Sequence, residues 1–150
     1  MYIRIGLFVL LFGLITCPAF AAYSGPSAAA PTASLHFTPE IFERLRQKGI
    51  DTAYVTLRIG LDTFLPIRED RIEDHVIHSE AYTVPEETAE RVNETRSRGG
   101  RVIAVGTTAV RVLESAACEE GRIIPGENRT RLYIYPGYRF KIVQCMFTNF

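Results

Sequence analysis

The stretch Gly100–Ser115, GRVIAVGTTAVRVLES, constrains the fold more than any other part of the chain. It predicts a buried strand over Val102–Val105, a tight turn at Gly106 and a helix from about Thr107 to Ala117. A strand that runs directly into a helix belongs to an α/β layer, in which helices cover a sheet that is at least partly parallel. Gly106 lets the backbone turn without a Cβ clash. Thr107 and Thr108 put hydroxyls beside the unpaired amides and positive dipole end of a helix, a setting that suits a phosphate, carboxylate or ribose oxygen. The segment has neither GxGxxG nor a P-loop lysine, so on the residues alone a capped structural turn is the first reading. Arg111 and Glu114, one turn further on, have the spacing to pair with each other.

The neighbouring segments continue the alternation. Small residues with Pro26 and Pro31 make Tyr23–Ala33 a linker or loop. Thr38 then caps a helix with Pro39 at its first position, Ile41, Phe42 and Leu45 share a face, and Gly49 ends it. YVTLRIG (Tyr54–Gly60) alternates Tyr54, Thr56 and Arg58 against Val55, Leu57 and Ile59, a strand with one apolar face. HVIHSEAYTV (His75–Val84) is extended, and Pro85 opens a helix that Gly99-Gly100 stops. After a polar loop, RLYIYPGYRFKIVQCMF is expected to hold two strands split by Pro136-Gly137.

Seventeen basic and seventeen acidic side chains cancel, so no bulk field draws the chain to nucleic acid or an acidic membrane. A local basic face is still open, and Arg91, Arg96, Arg98 and Arg101 are candidates, although such clusters are more often a solvated helix face. Cys17, Cys118 and Cys145 form no CxxC pair and no disulfide framework. The first 22 residues point elsewhere. Arg4, an apolar run from Ile5 to Ile15, Pro18 and Ala19-Phe20-Ala21 follow the layout of a secretory signal, and the run is too short to span a membrane.

IEDHVIHSE concentrates polar chemistry: Glu73, Asp74, His75, His78 and Glu80. One imidazole tuned by a carboxylate can act as a general base. In extended structure His75 and His78 point to opposite faces, which argues against a shared metal. His36 is more often a packing residue at a helix entry than a base.

Together, AAPTASLHFT, VTLRIGLDTFLPI, IEDHVIHSEAYTVPEETAERVNETRSRGGRVIAVGTTAVRVLES and LYIYPGYRFKIVQCMFTNF resemble, in order and spacing, the S-adenosylmethionine:tRNA ribosyltransferase-isomerases of queuosine biosynthesis. The resemblance runs from about Pro26 to Phe150. It implies a mixed, partly parallel sheet with flanking helices, as part of a larger two-domain enzyme, with residues 23–150 a partial ribosyltransferase-isomerase domain and residues 1–22 a signal-like or artefactual apolar segment. It implies a cytoplasmic, monomeric enzyme whose partner is the tRNA anticodon loop carrying the queuosine precursor. S-adenosylmethionine is its consumed substrate, with no separate cofactor and no metal. The ribosyl group passes to 7-aminomethyl-7-deazaguanine and is rearranged to give epoxyqueuosine, releasing adenine and methionine.

That reaction needs a base beside the sulfonium, from His75, His78 or His36, with Glu73 or Glu80 to orient it. The resemblance places substrate-binding residues at His36 and Thr38, at Thr63 and Phe64, at Gly106, Thr107, Thr108, Arg111 and Glu114, and at Tyr135 and Tyr138. Thr107 and Thr108 suit ribose or carboxylate oxygens, and Tyr135 or Tyr138 can stack on a base. Ala109 and Val112 stand where the family usually has hydroxyls. The signal-like start conflicts with a cytoplasmic enzyme; it reads as an accidental upstream start, or else as the leader of a secreted or periplasmic, non-catalytic α/β binding domain.

Overall fold

The computed structural model describes residues 7–12, 32–59 and 79–149. Among them are six strands in one sheet: β1 (Leu7–Phe12), β2 (Asp51–Arg58), β3 (Glu80–Val84), β4 (Arg101–Val105), β5 (Gly126–Thr130) and β6 (Cys145–Phe147). Their order across the sheet is β5-β3-β2-β1-β4-β6. β1 runs parallel to β2 on one side and β4 on the other, and β6 is parallel to β4. β2, β3 and β5 pair antiparallel. The sheet is therefore mixed and partly parallel, as the sequence predicts.

Helices α1 (Pro39–Gln47), α2 (Glu86–Ser97) and α3 (Thr107–Ala116) flank it. Side chains alternate across a strand, and the burial follows. Ala53, Val55 and Leu57 of β2 and Val102 and Ala104 of β4 meet Ala89, Val92, Val112 and Leu113 of α2 and α3 in the main core. On the other face Val105 packs with Ala33, Phe37, Phe42 and Ile50, which bring α1 and a short 3-10 helix (Thr32–His36) against β4. α1 begins after Thr38, which sits at the N-cap in an extended conformation but makes no capping bond through its hydroxyl. α2 carries one i,i+4 ion pair near its start, Glu87–Arg91, and one at its end, Glu94–Arg98, and the chain turns at Gly99, where φ is +73°.

One expectation is corrected. Arg131–Tyr135 forms no strand; the strand in this region is β5, inside the stretch read as a polar loop. β5 is an edge strand, so four of its five residues are exposed and it needs no apolar alternation to pair with β3. The apolar residues Ile142 and Val143 are buried without joining a ladder, because a side chain described below takes up their amides. Leu7–Phe12, within the signal-like run, is the strand between β2 and β4. A short uncharged run satisfies either use, since central parallel strands also read as continuous apolar stretches.

Candidate functional site

Three segments converge where β4 ends. Gly106 adopts φ +90° and ψ 150°, a conformation that side chains with a Cβ adopt only under strain, and starts α3 directly. Its amide donates to the carbonyl of Phe147 at 2.7 Å, tying the turn to the end of β6. A Cβ at Gly106 would lie 3.8 Å from Ala33 Cβ, so the 3-10 helix rests against the turn. No side chain caps α3, and the amides at its start point out of the end of a parallel strand. Chain order reverses at β1, with β2 on one side and β4 on the other. In open α/β sheets, crevices for ligands form at the carboxyl ends of strands at such a switch.

A cavity of about 480 Å³ opens beside this turn, within the size range of small-molecule sites. Thr107, Val110 and Arg111 of α3 form one wall; Leu132, Tyr133, Ile134 and Phe140 form another; Val143–Met146 close it. Tyr135 packs on Tyr133 with ring centroids 5.9 Å apart, and Tyr138 meets Phe140 edge-on at 5.2 Å. The two tyrosines named from the sequence thus buttress two aromatic residues of the cavity wall.

Arg111 and Glu114 do not pair with each other. Arg111 Nη1 reaches across to Glu80 of β3 at 2.5 Å, in an ion pair almost entirely removed from solvent. Its Nε and Nη2 are buried with no hydrogen-bond partner among the described residues. Glu114 turns the other way. Its Oε1 accepts from the amides of Ile142 and Val143 at 3.0 and 2.8 Å, and Oε2 accepts from the Lys141 amide at 2.8 Å. The Tyr138 hydroxyl donates to the same Oε2 at 3.2 Å. Glu114 is therefore a buried clamp on residues 138–143 and is not among the residues lining the cavity. Burial, reinforced by the Glu114 carboxylate, pushes the Tyr138 hydroxyl up to about 12.

The structure brings Thr107, Arg111 and Glu80 to one place, with Gly106 and Thr108 at the adjoining turn. His36 and Thr38 are exposed and do not line the cavity. Glu73, His75, His78, Thr63 and Phe64 lie outside the described residues. Ala109 and Val112 have no exposed surface, so they belong to the core side of α3. The arginines of α2 are each held by separate partners. Arg91 pairs with Glu87 and Arg98 with Glu94, while Arg96 donates to the carbonyls of Lys141 and Ile142. Among the described residues no group of three His, Cys, Asp or Glu could hold a metal ion, and no helix is long and apolar enough to cross a membrane. Sequence reasoning missed Tyr133, Phe140 and Gln144. Gln144 accepts the Val102 amide through its side chain at 2.7 Å and donates its own amide to the Val102 carbonyl, extending the β4–β6 pairing.

A profile of the family described as "Queuosine biosynthesis protein" matches residues 18–150. The chain is 57% identical over 131 residues to an S-adenosylmethionine:tRNA ribosyltransferase-isomerase of Trichlorobacter lovleyi, and 53% identical over 131 residues to one of Thermoanaerobacter sp.. Each match covers 87% of this chain and 38% of the relative, so the chain spans well under half the length of these relatives. The crystal structure of S-adenosylmethionine tRNA ribosyltransferase from Thermotoga maritima superposes with a TM-score of 0.58 at 42% identity, covering 79% of this chain and 36% of that one. With the family profile spanning nearly nine-tenths of its residues, the chain belongs to the queuosine biosynthesis protein family.

Proposed function

We propose that this chain carries part of the site of an S-adenosylmethionine:tRNA ribosyltransferase-isomerase, acting in the cytoplasm on a tRNA anticodon loop, with residues 23–150 as the partial catalytic domain. S-adenosylmethionine is spent as a substrate in this reading, and no separate cofactor takes part. The observation that carries it is the cavity at the start of α3, where Thr107 and Arg111 stand against an aromatic wall. A buried guanidinium with two unpartnered nitrogens carries a cost of about 1–3 kcal/mol per group, and a carboxylate or ribose oxygen of the bound nucleotide would relieve it. Glu80 fixes the orientation of Arg111. The apolar walls suit the adenine ring, and the helix start suits an oxygen beside Thr107. The positive sulfur acidifies the adjacent ribose carbon, so one general base suffices to begin the transfer; His75 or His78 fills that role in this proposal.

The test is adenine release from S-adenosylmethionine, dependent on tRNA that carries 7-aminomethyl-7-deazaguanine. Release that falls at least tenfold in Arg111→Ala and is absent with unmodified tRNA is the expected result. No release from the wild-type chain with the precursor tRNA overturns the assignment for this chain.

A further inference from the structure

We propose that Arg131–Phe140, the irregular segment along the cavity mouth, is a stacking platform for unpaired bases of single-stranded RNA. The inference rests on the reading above that the chain acts on RNA, and it locates where the RNA is held. Four aromatic residues fall within eight positions there, Tyr133, Tyr135, Tyr138 and Phe140, and they form the two ring pairs already described. Their rings are not sealed into a core: Tyr135 is 43% and Phe140 53% exposed. Every base has a π-face, so exposed rings held in place by partner rings bind single strands with little regard to sequence.

The charge around these rings points the same way. The whole chain is neutral, yet Arg129–Phe150 holds Arg129, Arg131, Arg139 and Lys141 and no carboxylate. Lys141 is paired with Glu119. Arg129 binds the hydroxyl and carbonyl of Ser79, uncharged partners that leave its charge unneutralised. Arg131 and Arg139 are exposed, and among the described residues neither pairs with a carboxylate. Exposed cations interleaved with exposed rings are what a phosphate backbone with splayed bases requires. Phe140 and Tyr133 also line the cavity, so a base stacked on this segment sits at its entrance.

The probe is a fluorescein-labelled single-stranded heptaribonucleotide, with a blunt RNA duplex as comparison, bound to the 150-residue chain. Wild type is expected to prefer the single strand. Tyr135→Ala and Phe140→Ala should each weaken it by roughly fivefold or more, from the ~1–3 kcal/mol that stacking on one base contributes. Phe140→Leu keeps the apolar volume without the stacking face and should weaken binding like Phe140→Ala. Arg131→Ala and Arg139→Ala should each flatten the salt dependence by about one phosphate contact. Tyr54→Ala, an exposed tyrosine on β2, should leave binding unchanged, and each variant should stay folded with a cooperative melting transition above the assay temperature.

Single-strand binding that ignores Tyr135 and Phe140, equal binding of the duplex, equal weakening by Tyr54→Ala, or no binding by wild type overturns the platform. So does self-association lost in Phe140→Ala without RNA binding, which would assign the patch to protein contact. The two readings fail separately. RNA binding with the expected pattern but no adenine release overturns the enzymatic reading alone. Adenine release with RNA binding indifferent to these rings overturns the platform alone.

Discussion

Replacing Glu114 with glutamine tests how the aromatic wall is held. The side chain is 3% exposed and its two oxygens accept three main-chain amides at 2.8, 3.0 and 2.8 Å. A glutamine can keep its carbonyl on Ile142 and Val143, but its NH₂ then faces the Lys141 amide, donor against donor. One stranded buried amide costs about 1–3 kcal/mol, and two charge-assisted bonds weakened to neutral ones cost about 1 kcal/mol each. The sum, about 3–5 kcal/mol, is a large fraction of an ordinary domain's stability of ~5–15 kcal/mol. At this chain length it lowers the melting temperature by on the order of 10 °C.

Thermal unfolding measures the total, and amide hydrogen exchange locates it. The amides of Lys141, Ile142 and Val143 should be protected in wild type and exchange early in Glu114→Gln. Tyr138→Phe removes only the 3.2 Å hydroxyl contact and should cost about 1 kcal/mol. A Glu114→Gln variant that melts within about 2 °C of wild type, with those amides still protected, would refute the clamp. So would a Tyr138→Phe loss as large as that of Glu114→Gln, because the amides would then not be what the carboxylate holds.

Three further outcomes follow from the geometry. Breaking the Glu80–Arg111 pair by Arg111→Ala or Glu80→Gln should destabilise by about 3–5 kcal/mol, whereas the double variant Glu80→Leu/Arg111→Met should lose far less; denaturant unfolding distinguishes them, and additive losses would contradict a buried pair. Gly106→Ala should cost about 1–3 kcal/mol from backbone strain at φ +90°, with no steric term because the new Cβ meets nothing closer than 3.6 Å; a neutral substitution would mean the turn relaxes. The Tyr138 hydroxyl is raised from 10.0 to about 12 in the fold, so its contribution is complete below the unfolded value near 10 and is lost as pH rises through the folded value. Stability should decline across that alkaline window more steeply in wild type than in Tyr138→Phe, and parallel curves would remove Tyr138 as the cause.

The sequence by itself determined the elements whose signal is local. The strand at Val102–Val105, the glycine turn and the helix from Thr107 are written in a run of apolar residues, a residue without Cβ and a helix start, and each needs only its neighbours. The alternation of Tyr54–Ile59 and the stops at Gly49 and Gly99 are legible for the same reason, and ordered blocks of this kind marked the family. Tertiary structure decided what needed partners from elsewhere. Arg111 and Glu114 have the spacing to pair on one helix, yet Arg111 turns to Glu80, 31 positions earlier, and Glu114 to amides 27–29 positions later, because buried donors and acceptors must be satisfied wherever the fold brings them. β5 carries no apolar alternation since an edge strand needs only a ladder on one side. The apolar start became the strand between β2 and β4 because a short uncharged run does not specify its own use, and only the two edges that flank it do.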